Sequence, residues 1–242
     1  RVYRDHQEEA LWAARDPIFL FTRSLVKSGL FSEEEVSHII LDSRKRVDDA
    51  LIDALSVRDQ RISMDKAMEY LFAEEDEELY KGCKTTSRIS YRDAIREALD
   101  EEMSRDTAVH LIGEDISLYG GCFRVTGDLY KKHPQQMHET PVSEEAFTGL
   151  AVGAATLGVR PVVEIMYGDF STLASDPMIN HAAKIRFMSA GQLSCPMVLR
   201  APIGSGTGHG AQHTQCLEAM FANIPGLIIV APSCPGDEIG RA

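Results

Sequence analysis

With 242 residues, the chain has room for one large domain or two small ones, and its apolar share of 44% is ordinary for a globular protein with a substantial core. Lys and Arg number 25 against 37 acidic residues, and the net charge of -12 argues against a general nucleic-acid partner, which needs a basic face. No apolar run approaches the roughly 18 residues needed to span a bilayer, so no membrane partner is expected.

The first stretch, "RVYRDHQEEA", is charged and polar and carries no signal peptide. It begins with Arg rather than Met, so the sequence reads as a fragment or a processed product. Cys83, Cys122, Cys195, Cys216 and Cys234 are widely spaced, odd in number and form no C-x-x-C pair. They read as reduced thiols of a cytoplasmic protein, and no zinc or other metal site is expected.

Residues 1–80 are predicted to be helical throughout. Asp16-Pro17 suits a helix start, because Asp caps free amides and Pro tolerates the first helical position. That helix should stop near Gly29. Ser32 and Glu35 form an S-x-x-E capping box. After them Val36, Ile39, Ile40, Val47, Ala50, Leu51, Ala54 and Leu55 recur at helical spacing, with Glu33, Arg44, Lys45 and Asp48 opposite. The spacing predicts an amphipathic helix of about 24 residues, roughly 36 Å long. Its apolar stripe is expected to pack within a helical pair, the other reading being a brace for a neighbouring domain. Residues 74–87, "EEDEELYKGCKTTS", read as a linker.

From Ser90 the pattern changes. "SYRDAIREALDEEM" predicts a capped helix, "AVHLIGED" a strand, "AFTGLAVGAATLG" a helix of small residues against which something packs closely, and "RPVVEIM" a strand. "ASDPMINHAAKIRFMS" predicts a helix, "PMVLRAP" a strand, "HTQCLEAMFANIP" a helix and "GLIIVAP" a strand. Short apolar strands alternating with helices give an α/β fold, a parallel sheet flanked by helices and preceded by an all-helical segment. In such folds ligands sit at the carboxyl ends of the strands.

The residues after those strands carry the candidate chemistry: Glu114 and Asp115, then Tyr167, Asp169 and Phe170, then a glycine-rich loop with His209 and His213. Glu144 and Glu145 open the small-residue helix. Each has a plainer reading. A helix start favours acids through its dipole, Phe170 suits a core, and His213 suits a helix cap. The loop lacks a G-K-[ST] ending, and no G-x-S-x-G or H-E-x-x-H occurs.

Four stretches occur in order between about residues 88 and 238: "LIGEDISLYGGCFRVTGDL", "TPVSEEAFTGLAVGAATLGVRPVVEIMYGDF", "INHAAKIRFMSAGQ" and "GTGHGAQHTQCLEAMFANIPGLIIVAPS". Together they resemble the beta subunit of thiamine-diphosphate-dependent 2-oxo acid dehydrogenases, the decarboxylating first component of the pyruvate and branched-chain complexes. "YRDHQEEALWAARDPIFLFTRSLVKSGLFSEEEV" resembles the C-terminal tail of the alpha subunit. The resemblance implies an alpha-like tail over 1–80 and a truncated, transketolase-like pyrimidine-binding domain over 81–242.

It also implies a mechanism. A glutamate bonded to the aminopyrimidine ring activates thiamine diphosphate, and the resulting ylid attacks a 2-oxo acid, which loses carbon dioxide. The acyl unit passes to the lipoyl group of a partner acyltransferase, and the enzyme self-associates as a dimer. By its place in "TPVSEE", Glu144 matches the activating glutamate. Phe170 matches the aromatic against the aminopyrimidine, His213 a substrate-channel histidine, and Glu114 an acid lining a polar passage between paired sites. Adjacent helical residues point about 100° apart, so Glu145 is expected to be only a helix-start acid.

Two features depart from the family pattern. The alpha subunit's diphosphate and Mg2+ motif begins "GDG", which does not occur here, so the magnesium ligands are expected outside this chain. The sequence ends at "GDEIGRA", leaving the K+ site incomplete. An isolated chain is therefore expected to bind the cofactor weakly or not at all. The substrate, pyruvate or a branched-chain acid such as 3-methyl-2-oxobutanoate, is left open. The other readings are a catalytically inert structural or interaction fragment and another transketolase-like thiamine enzyme.

Overall fold

The computed structural model describes residues 6–60, 62–71, 88–232 and 235. The predicted linker at 74–87, Cys83 and Cys234 lie outside the described residues. The chain forms two compact units, Arg1–Ile62 and Ser63–Ala242.

The first unit contains α1 (His6–Ala13), α2 (Pro17–Lys27) and α3 (Glu33–Ser56). Asp16 Oδ1 accepts the amides of Ile18 and Phe19 at 2.8 and 3.2 Å, and Pro17 takes the first helical position, as predicted. Gly29, at φ 71, follows the end of α2. The capping box forms in both directions: the Glu35 amide donates to Ser32 Oγ at 3.1 Å, and the Ser32 amide to Glu35 Oε2 at 2.8 Å. α3 is 24 residues long, the length its periodicity predicts. Helix pairing covers only its first turns. Val36 and Ile40 are half-buried, whereas Val47, Leu51 and Leu55 are exposed.

In the second unit a short α4 (Met64–Met68) precedes α5 (Tyr91–Arg105), which Ser90 caps by accepting the Asp93 amide at 3.1 Å. β1 (Val109–Gly113), α6 (Leu129–Lys132), β2 (Met137–Glu139), α7 (Glu144–Thr156), β3 (Arg160–Glu164) and β4 (Val198–Arg200) follow. The sheet is parallel throughout, in the order β2-β1-β3-β4, with Leu111 opposite Val162 and Ile112 opposite Val163. Because side chains alternate across a strand, β1 feeds two cores. Val109 and Leu111 pack with Ile95, Leu99 and Met103 of α5; Ile112 packs with Val163 and with Phe147 and Ala151 of α7. The sheet is covered on both faces, as the continuously apolar strands predict.

Three predicted elements need correction. "ASDPMINHAAKIRFMS" is a π-helical stretch, Pro177–Ala182, followed by the short α8 (Ile185–Met188). "HTQCLEAMFANIP" is helical only over α9 (Glu218–Phe221), because Gln215 is committed elsewhere: its amide and Nε2 both donate to Asp169 Oδ1. "GLIIVAP" joins no sheet. β4, at the end of the strand order, pairs over only three residues, and Ile228 and Val230 stay exposed. Its neighbourhood is fixed instead by two side chains, Lys184 Nζ donating to the Pro225 carbonyl at 2.8 Å and the Tyr91 hydroxyl to Pro232 at 3.0 Å. The close packing expected on α7 is made by its alanines, Ala151 and Ala155 being buried with Glu144, Phe147, Thr148 and Val152, whereas Gly149 and Gly153 meet nothing among the described residues.

Gly226 fixes the turn before that segment. Its φ is +97, and a Cβ there would lie 2.1 Å from the Ala183 carbonyl oxygen. Left-handed strain and overlap with rigid backbone act together, so Gly226→Ala is expected to cost about 2 kcal/mol or more in urea unfolding. A parent-like midpoint would mean that the turn can rearrange.

Candidate functional site

The predicted residues gather at the carboxyl end of the sheet. Glu114 directly follows β1, Tyr167 to Phe170 follow β3, and the loop carrying His209 and His213 follows β4. α7 starts at the same end, since its first residue follows β2 by a short turn. Gly113 permits this crowding: a Cβ there would lie 2.7 Å from the Glu164 carbonyl oxygen on β3.

Glu114 and Glu144 are both buried, each 7% exposed, whereas Glu145 is exposed. Local sequence delivers Glu144 to this place. Ser143 gives α7 no side-chain cap, because its hydroxyl donates to the Pro141 carbonyl at 3.0 Å. The first amides of α7 are thus left for other acceptors. Glu114, arriving from β1, lies near the Ser143 amide at this helix start. Burial raises the Glu114 carboxyl above its ordinary pKa and the neighbouring Glu144 charge raises it further, while the Ser143 amide acts in the opposite sense. Glu114 Oε1 is buried with no hydrogen-bond partner among the described residues. A buried carboxyl with an open oxygen can accept a bond from a polar ligand.

The raised pKa has a consequence for stability. The folded chain holds the Glu114 proton to higher pH than the unfolded chain does. Its contribution is full below the ordinary glutamate range and is lost as pH rises through the folded value. Glu114→Gln is expected to flatten this part of the pH–stability curve. Urea titrations across mildly acidic pH would show it, and an unchanged slope would assign the dependence to other groups.

The second cluster is aromatic. The rings of Phe170 and His213 meet edge-to-face at 5.2 Å, and Tyr167 meets His213 at 4.8 Å and Phe170 at 6.0 Å. The Tyr167 hydroxyl bonds His209 Nδ1 at 2.9 Å. Phe123 closes the group from the loop after β1, 6.0 Å from Tyr167. Asp169 holds the histidine loop. Burial alone would raise its carboxyl, but the Gln215 donors keep it below its ordinary pKa. Its Oδ2 is buried without a partner among the described residues. Phe170 also packs on the core cluster that contains Phe147 of α7.

The structure therefore brings the four predicted residues together as two pairs, Glu114 with Glu144 and Phe170 with His213. Among the described residues no hydrogen bond or ring contact joins one pair to the other. Sequence reading missed the ion pair beneath them. Glu164, 1% exposed on the side chain, receives both Arg200 Nε, at 2.6 Å, and Arg200 Nη2. The signal was present: a glutamate inside apolar "VVEIM" needs a buried cation, and "MVLRAP" supplies one. Cys122, Cys195 and Cys216 are free thiols, and among the described residues no group of three metal-ligating side chains forms. No helix among them is long and apolar enough to cross a membrane.

Residues 87–238 match the family of the transketolase pyrimidine-binding domain. The chain belongs to that family. Residues 1–63 match a second one, the dehydrogenase E1 component, so the tail and the domain meet in one chain, as the two resemblances implied. Among curated relatives, the chain is 46% identical over 153 residues to the mitochondrial pyruvate dehydrogenase E1 component subunit beta-1 of Arabidopsis thaliana, covering 63% of this chain and 42% of that protein. It is 45% identical over 155 residues to the 2-oxoisovalerate dehydrogenase subunit beta of Bacillus subtilis, covering 64% and 47%. To the acetoin:2,6-dichlorophenolindophenol oxidoreductase subunit beta of Cupriavidus necator it is 43% identical over 163 residues, covering 63% and 48%. The chain thus spans less than half the length of these relatives.

Proposed function

We propose that this chain supplies the pyrimidine-binding half of a thiamine diphosphate site in the decarboxylating component of a 2-oxo acid dehydrogenase. The observation that carries the reading is the buried Glu114–Glu144 pair with its unpartnered oxygen, set at the carboxyl end of the sheet in a family defined by pyrimidine binding. These residues fit an aminopyrimidine, which offers ring nitrogens and an amino group to a carboxyl and a flat face to an aromatic side chain. When bound, thiamine diphosphate supplies the electron sink that lets a 2-oxo acid lose carbon dioxide.

The chain's own residues supply proton handling and position. Glu144 exchanges a proton with a ring nitrogen through its carboxyl. Glu114, its carboxyl raised above the ordinary range by burial and by the Glu144 charge, lies beside it and gives the pocket a second buried carboxyl. Phe170 gives the ring an apolar face, and His213, fixed by the Asp169–Gln215 bonds, orients the substrate. The division into an alpha-like tail over 1–80 and the domain over 81–242 belongs to the same reading. So do magnesium ligands outside this chain, dimerisation, and a lipoyl-bearing acyltransferase as acyl acceptor. A reducing compartment such as the cytoplasm suits the three free thiols.

The test is an assay of the complete protein with pyruvate, 3-methyl-2-oxobutanoate and acetoin, each with and without thiamine diphosphate. Cofactor-dependent release of carbon dioxide from either acid supports the reading, and turnover of acetoin alone would replace it. Calorimetric titration of this 242-residue chain with cofactor and magnesium should give weak binding or none. Micromolar binding would refute the half-site.

A further inference from the structure

We propose that a second pocket, distinct from the carboxylate and aromatic clusters, binds a small phosphorylated molecule. It is a cavity of about 320 Å³ between the first turns of α5 and the loop after β1, walled by Arg92, Arg96, Tyr119, Arg124, Gly127 and Asp128. None of these residues belongs to either cluster described above, so the proposal does not depend on how those clusters function.

The charge balance favours an anion. Arg92 and Arg96 both reach Asp93, and Lys131 Nζ lies 2.7 Å from Asp128 Oδ1. Including Arg124, four cations face two carboxylates, leaving a local surplus of two positive charges on a chain whose net charge is -12. Among the described residues Arg124 makes no ion pair. Its guanidinium carbon lies 4.7 Å from the centre of the Tyr119 ring. Stacking by a face leaves the N–H donors on the edge of the guanidinium for a ligand, and that planar fork matches phosphate geometry.

The backbone is shaped around this arrangement. Phe123 and Arg124 adopt φ of 55 and 62, a left-handed pair that costs about 1–3 kcal/mol per residue and persists only where the surroundings hold it. The loop that brings Arg124 to Tyr119 also sets Phe123 edge-on to Tyr167 at 6.0 Å. The volume falls at the lower end of small-molecule sites, about 300–1,000 Å³. Leu118 and Tyr119, 91% and 55% exposed, give it an apolar rim for the organic part of a ligand.

The experiment is calorimetric titration of the 242-residue chain at low ionic strength with inorganic phosphate, glycerol 3-phosphate and citrate. One saturable site is expected for the two phosphates, tighter for glycerol 3-phosphate, with citrate weaker than either. Arg92→Ala and Arg124→Ala should each weaken binding by roughly tenfold or more, the loss expected for charge-assisted bonds. Arg124→Lys should fall between Arg124→Ala and the parent, because it keeps the charge and loses the fork. Circular dichroism on each variant separates loss of binding from loss of fold. Arg44→Ala on α3 should change nothing. No saturable binding, full binding in both alanine variants, equal affinity for citrate, equal affinity for the two phosphates, or an equal loss in Arg44→Ala would each overturn the proposal.

Discussion

On the proposed function, Glu144→Gln is expected to lower decarboxylation by the complete protein at least roughly 100-fold, the scale of lost acid–base catalysis, while Glu145→Gln costs less than roughly tenfold. The two carboxyls are neighbours in sequence, but only Glu144 is buried, and only Glu144 lies close enough to Glu114 to raise its pKa. Glutamine keeps the size and hydrogen-bonding reach of Glu144 and removes its capacity to exchange a proton. The loss should therefore appear in kcat rather than in folding. Paired measurements of kcat and of urea midpoints for the two variants would check this. Equal losses in both would show that the roles of the pair are misassigned. Glu114→Gln adds a third arm: it should shift the acidic limb of the pH–rate profile, because a buried carboxyl that feels the Glu144 charge is gone. The carboxyls that feel each other are Glu114 and Glu144, and not the adjacent pair in "TPVSEE".

The Glu114–Glu144 pair shows how far the sequence could be read. Helix starts were legible where one residue both signals and makes the cap, as with Asp16, Ser32 and Ser90. The largely buried β1 and β3 were legible from their apolar runs, and so was the more exposed edge strand β4. β2 was not legible. Three residues carry no periodicity, and Met137 to Glu139 extend only because β1 offers them an edge. "GLIIVAP" failed for the opposite reason: it has strand composition but joins no edge. The helix expected after His213 failed because tertiary bonds from Gln215 to Asp169 compete with its first turn. At the site, motif resemblance named Glu144, Phe170, His213 and Glu114. The coupling of Glu114 to Glu144, and the ring contacts of Tyr167, depend on distances across strands that no local pattern encodes.

Glu164→Ala is expected to destabilise the second unit by about 3–5 kcal/mol, the cost of leaving a buried charge without its partner. Glu164 ends β3 and Arg200 ends β4, opposite each other in the register, so the pair fastens β4 to the sheet. The loop bearing His209 and His213 starts just beyond, and loosening β4 should disorder the aromatic cluster as well. The neighbouring Cys122 thiol, pushed up to about 11 by burial and then by the Glu164 charge, gives a local readout, since opening of this region exposes it to thiol reagents. Removing both charges is a different experiment from removing one. Glu164→Met combined with Arg200→Met should recover most of the lost stability, because well-packed apolar groups can replace a buried ion pair at little cost. The recovered protein should still lose activity if the pair also sets the position of His213, whereas a purely structural pair would give a double variant both stable and active. Urea midpoints, Cys122 labelling rates and kcat on the same three proteins separate these outcomes, and a single variant as stable as the parent would remove Glu164 from the account altogether.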